Sequence, residues 1–112
     1  MPAVSLGPDQ TGSLTNVVVN SASATISAPV GVPGKVIRVY RIVLVVGGTT
    51  NITFQDGNNA VSGPFPMVAN GSIVLDIDGT AWYATSLGNA FNIANSGTVQ
   101  VSGNVYYQLS NA

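Results

Sequence analysis

"VQVSGNVYYQL", residues 99–109, alternates apolar and polar side chains with hardly a fault. Val99, Val101, Val105, Tyr107 and Leu109 share one parity with Gly103, and Gln100, Ser102, Asn104, Tyr106 and Gln108 share the other. A period of two is the pattern of a β-strand buried on one face only. The remaining sequence has the same character. Valine greatly outnumbers leucine, and 13 glycines and 6 prolines punctuate the 112 residues. That is a composition of short strands and frequent turns. No window sets apolar residues at helical spacing between capping residues, so no helix is expected.

Strands are expected at 17–19, continuing after a break into 24–28, then at 35–46, 51–55, 65–68, 72–77, 81–85, 90–94 and 98–109. Asp56-Gly57 is a strong hairpin-turn signal after the fourth of these. Pro64 and Pro66 confine residues 65–68 to a sheet edge. Within 72–77 the alternation puts Ile73, Leu75 and Ile77 inward and Asp76 outward. Strands this short, with turn signals about every 8–12 residues, predict a sandwich or barrel. The expected fold is all-β: a single-domain, eight-stranded jelly-roll β-sandwich over residues 15–112. A fibronectin-like or immunoglobulin-like sandwich is the alternative. Residues 1–14, with Pro2, Gly7, Pro8 and Gly12, form a short N-terminal arm without a core of its own.

Only 6% of the residues are charged, against about a quarter in an average soluble domain. Lys35, Arg38 and Arg41 face Asp9, Asp56, Asp76 and Asp78 for a net charge of −1. Such a chain has no field to hold nucleic acid or an anionic membrane. Its polar surface must come from Ser, Thr and Asn, and neutral surfaces repel one another weakly, which points to an assembled state. Without cysteine there are no disulfides and no thiolate metal sites. The opening Met-Pro-Ala-Val-Ser lacks the basic and apolar regions of a signal peptide, and the aliphatic run 42–46 is far too short to span a bilayer. Synthesis in a cytoplasm is therefore expected.

Chemistry has little to work with. There is no histidine to act as an acid or base. Asp76 and Asp78 share one strand parity and could face each other as a carboxylate pair, but a solvated strand residue followed by an Asp78-Gly79 turn is the simpler account. "DIDGT" (76–80) resembles part of a calcium loop but lacks the closing glutamate and flanking helices. No nucleophile elbow or phosphate loop occurs, and the sequons at Asn51 and Asn70 fit an Asn-rich chain without secretion. No catalytic residue, cofactor or metal is expected, and the chain is not expected to be an enzyme.

Trp82-Tyr83 and Tyr106-Tyr107 each lie on a strand, so one aromatic of each pair should be core and the other surface. Residues 35–46 are stranger, being apolar on both parities, with Arg38 and Arg41 on opposite ones. Either both faces are covered, the second by the arm or another subunit, or a β-bulge between the arginines puts both outside. The first alternative makes Arg38, Tyr40, Ile42, Leu44 and Tyr106 a candidate subunit interface anchored on Tyr40.

"GKVIRVYRIVLVV" (34–46), "TFQDG" (53–57), "SGPFPMVANGSIVL" (62–75) and "WYATSLGNAFNIANSGTVQVSGNVYYQL" (82–109) run in an order that resembles small virion proteins of tailed bacteriophages. The most specific parts are Thr85, Gly88, Ala90 and Ile93, followed by Val101, Gly103, Val105 and Tyr107. The resemblance covers 34–109 and rests on folding residues. It implies a jelly-roll building block of the particle, made in the host cytoplasm. Such proteins serve as head-decoration (cement) proteins, commonly homotrimers seated on the major capsid protein, or as carbohydrate- or receptor-binding modules of fibres and spikes. The arm would suit a capsid grip.

Overall fold

The computed structural model describes residues 14–111. Among them, the chain forms β1 (Thr15–Ser21), β2 (Thr25–Ser27), β3 (Val36–Val46), β4 (Thr50–Asp56), β5 (Asn59–Ala60), β6 (Phe65–Met67), β7 (Ser72–Leu75), β8 (Tyr83–Ala84), β9 (Phe91–Asn95) and β10 (Val101–Ser110). There is no helix among these residues. One sheet runs β1-β10-β3-β7, with β8 also on β3, and the other runs β2-β9-β4-β5, with β6 also on β4. All pairings are antiparallel, and the two sheets pack face to face as a sandwich.

The nine expected strands all coincide with observed ones, and their ends differ for local reasons. The break between β1 and β2 is a crossing from one sheet to the other. The Asp56-Gly57 signal is a two-residue hairpin in which Asp56 pairs with Asn59 and Gly57 alone has positive φ, 59°, as a type II′ turn requires. β6 lies on an edge of its sheet, where Pro66 costs no central ladder bond. Two expectations need correction. β7 ends at Leu75, so Ile77 is 40% exposed rather than inward. β10 begins at Val101 because Thr98, at φ 49°, turns the chain just before it. The expected arm lies outside the described residues except for Leu14.

β3 is the central strand of its sheet, and its two apolar parities are resolved by a bulge. Arg41 stands opposite Tyr106 and Val39 opposite Tyr107, leaving Tyr40 as the extra residue. One added residue shifts the inward set from odd to even numbers. Ile37 and Val39 before the bulge, and Ile42 and Leu44 after it, are all fully buried in the same core. The same shift turns both arginines outward, where each is only part-buried. Of the two accounts of this strand, the bulge is the one observed.

From the other sheet, Ile26, Ile52, Phe54 and Ile93 complete the core. Phe54 is its hub, with ring centroids 5.4 Å from Tyr83 on the opposite sheet, 5.6 Å from Phe91 and 5.8 Å from Phe65. Each large side chain removed from water here contributes about 1.5–3 kcal/mol. Burial also lifts the Tyr83 hydroxyl above its ordinary pKa.

Polar side chains at both ends of the sandwich are hydrogen-bonded within the fold. Asn95, fully buried, accepts from Thr50 Oγ1 (2.7 Å) and donates through Nδ2 to the carbonyls of Val99 (2.7 Å) and Ser23 (3.2 Å). Gly97 N–H donates back to Thr50 Oγ1 at 2.9 Å. One amide thus ties the β1–β2 crossing, the start of β4 and the β9–β10 turn together. At the other end, Thr85 Oγ1 accepts from Ile37 N–H at 3.0 Å while Thr85 N–H donates to Ile37 O at 2.9 Å.

Two substitutions test this account. Asn95→Leu keeps the branched outline but is bulkier, and it removes the acceptor of the Thr50 hydroxyl and the donor to two carbonyls, so it should cost about 2–4 kcal/mol. Gly103, at φ 150°, lies so close to the Val43 carbonyl that a methyl would run into it. Gly103→Ala should cost about 3 kcal/mol or more. Thermal unfolding by circular dichroism measures both; midpoints within a few degrees of the parent would contradict the packing described.

Candidate functional site

The outer face of the β1-β10-β3-β7 sheet gathers the surface features that stand out in so neutral a chain. Register fixes its rows. Asn16, Tyr106 and Arg41 lie side by side; then Val18, Asn104, Val43 and Val74; then Asn20, Ser102, Val45 and Ser72. Val18 is 67% exposed, Val74 57% and Val45 43%. They face outward because the inward parity of each strand is already spent on the core.

At one end of these rows sits a charged and aromatic cluster. Arg41 Nε donates to Asp76 Oδ1 at 2.9 Å, and the guanidinium lies 5.4 Å from the centre of the Tyr106 ring, within cation–π range. Asp76 Oδ1 also accepts the Ile77 N–H at 2.9 Å. The Ile77 N–H, then Arg41, hold the Asp76 carboxyl below the usual carboxylate range. Trp82, 42% exposed, donates its indole N–H to the Asp76 carbonyl at 2.7 Å, which fixes the ring beside the ion pair. The pair cancels its own charge, while Arg38, outward on the same sheet, bonds to the neutral Ser110 hydroxyl. An ionised, solvated Asp76 is poorly suited to donate a proton at neutral pH, and the cluster fits contact rather than proton transfer.

The five candidate interface residues are divided by the bulge. Arg38 and Tyr106 are on the outer side, Arg38 donating from Nε to Ser110 Oγ at 3.1 Å. Ile42 and Leu44 lie in the sandwich core, and Tyr40 is fully buried. The expected single face anchored on Tyr40 is therefore corrected: the extra residue reverses the parity that would have joined Arg38 to Ile42 and Leu44. The shared strand face of Asp76 and Asp78 is corrected too, since both follow the end of β7. Each tyrosine or tryptophan pair does split as expected. Tyr83 and Tyr107 pack against the core, while Trp82 and Tyr106 belong to the outer cluster.

A second polar cluster lies at the β4–β5 hairpin. Asp56 Oδ1 accepts from Ser86 N–H and Asn89 Nδ2, both at 3.0 Å, and Oδ2 accepts from Ser86 Oγ at 2.9 Å. Gly57 N–H donates to Ala90 O at 2.9 Å and Gly57 O accepts from Asn92 Nδ2 at 2.8 Å. The hairpin is thereby pinned to the β8–β9 loop. Sequence reasoning marked Asp56 only as a turn residue; its three donors come from thirty or more positions away.

These contacts set a pH dependence. Desolvation raises the Asp56 pKa, but the Ser86 and Asn89 hydrogen bonds outweigh it and the net shift is downward from 3.8. A lowered folded-state pKa gives stability that is complete above about 3.8 and is lost as pH falls through the folded value. Asp56→Asn should be less stable than the parent at neutral pH and should lose less on acidification below that point. Urea titrations across the acid range measure this; parallel curves for the two proteins would refute it.

Arg41–Asp76 should matter little to stability, because the side chains are 34% and 73% exposed and screened pairs contribute little. Arg41→Gln should leave the unfolding free energy from urea titration within about 0.5 kcal/mol of the parent. In comparison with known proteins, the chain matches no protein-family model, no curated protein and no solved structure.

Proposed function

We propose that this chain is a structural protein of a tailed-bacteriophage virion, a head-decoration protein that seats on the lattice of the major capsid protein and stabilises it. The fold proposed with it is the eight-stranded jelly roll. Strand order supports that fold. First and last strands pair, β10 continues to β3, and β2-β9-β4 form the facing sheet. Taking β5 with β6 along β4, and β7 with β8 along β3, as interrupted single strands leaves four strands in each sheet.

The observation that carries the functional reading is the valine-bearing, sparsely charged outer face of the β1-β10-β3-β7 sheet. A face of exposed aliphatic groups, with Arg41 and Asp76 compensating each other, can dock on another protein while desolvating little charge. The sequence resemblance to virion proteins supports the same reading, and its motif residues have structural roles. Thr85 caps β3, Gly103 lets β10 approach it, and Val101, Val105 and Ile93 are core. The protein is made in the host cytoplasm and carried on the particle.

A second reading, a carbohydrate- or receptor-binding module of a fibre or spike, draws on Trp82. Its exposed ring is fixed beside a carboxylate and a guanidinium, and such a group suits stacking and hydrogen bonding to a sugar.

Co-sedimentation of the isolated protein with purified expanded heads of the phage that encodes it separates the two. Wild-type protein should pellet with heads, and Val74→Lys, a change at an exposed position, should weaken that binding about tenfold or more with the fold intact by circular dichroism. No binding by the wild type, or undiminished binding by the variant, would overturn the decoration reading. Trp82-dependent binding to host polysaccharide would establish the other.

A further inference from the structure

Unpaired sheet edges are templates for another strand, and among the described residues this fold guards all of its edges but one. β2 and β6 have three residues each, β5 and β8 two, and β7 four. β6 also carries Pro66, and β7 runs into the charged Asp76. Such brevity, proline and charge are the usual protections. β1 has none of them. It is seven residues long, uncharged and without proline, and its register with β10 runs unbroken from Thr15–Tyr107 to Ser21–Val101. Among the described residues it pairs with β10 alone, so every second residue turns its backbone N–H and C=O toward an open edge.

The sequence of that edge is a chemical palindrome. "TNVVVNS" reads the same in residue type from either end, with Val18 at its centre. From these features we infer that β1 pairs antiparallel with β1 of a second copy about a two-fold axis through Val18. Thr15 then lies opposite Ser21 of the other copy, Asn16 opposite Asn20, Val17 opposite Val19 and Val18 opposite Val18. Every cross-strand pair is like with like: hydroxyl with hydroxyl, amide with amide, aliphatic with aliphatic. An axis moved one residue, to Val17 or Val19, would set Val18 against an asparagine. An isologous contact of this kind closes on itself and leaves no edge to propagate.

The dimer joins the outer faces of two sheets. The row Val18, Asn104, Val43, Val74 of one copy continues directly into the same row of the other, doubling the apolar face. The inference stands on β1 alone, independent of the particle reading, and is tested on the isolated protein without heads, so the two can fail separately.

Light scattering behind a sizing column, on the full chain at tens of micromolar, should give twice the chain mass. Val18 is exposed, so its replacement does not disturb the core. Val18→Lys and Val18→Glu should each weaken the dimer about 100-fold or more, because like charges meet at the axis. Mixing the two variants in equal amounts should restore the doubled mass, as lysine then faces glutamate. Because the chain has no cysteine, Val18→Cys should oxidise to a cross-linked dimer, whereas Asn16→Cys, off the axis, should not. A wild type of monomer or trimer mass, a dimer indifferent to Val18→Lys, or a mixture that stays monomeric would overturn the inference.

Discussion

One extra residue in the central strand governs the architecture. β3 must supply core side chains along all of its 11 residues, because it has partners on both sides and the other sheet beneath it. A regular strand over this sequence would send Ile42 and Leu44 outward and Arg41 into the core. The Tyr40 bulge shifts the parity midway. Both apolar halves then point inward and both arginines outward, which avoids the large penalty of burying an unpaired guanidinium. The outer surface depends on that shift as well, since Arg41, Val43 and Val45 face outward only because the bulge precedes them.

What the bulge does for the middle of the sandwich, short polar side chains do for its ends. Asn95 and Asp56 bind backbone groups of loops, and Thr85 binds the Ile37 N–H at the start of β3, each standing in for a ladder partner. A chain with so few charges closes its open ends with amides and hydroxyls. These groups satisfy backbone at modest desolvation cost because each is itself hydrogen-bonded within the fold. The result is a sparsely charged surface, and the exposed valines of one sheet then stand in surroundings that do little to repel a second protein.

Much of this was legible in the amino-acid sequence because it depends on local rules. Alternation located the strands, Asp56-Gly57 the hairpin and Pro66 the edge, and adjacent aromatics on a strand had to split between core and surface. Less of the outer face could be read. The strand 35–46 was equally consistent with a bulge and with two covered faces, since a parity change looks the same from sequence in either case. Arg38, Tyr40, Ile42 and Leu44 share a parity in the sequence but not a face in the fold.

Residue type and spacing by themselves determined an all-β chain, the places of its longer strands, its sparsely charged composition and most inward or outward choices, with Ile77 and Leu109 as exceptions. Tertiary structure alone decided the position of the bulge, the crossing between β1 and β2, the end of β7 at Leu75 and the partners of Asn95 and Asp56. The physical reason is range. Strand period and turn chemistry are set by neighbours in sequence, whereas register and hydrogen-bond satisfaction at buried ends are set between residues dozens of positions apart, where no local pattern records them.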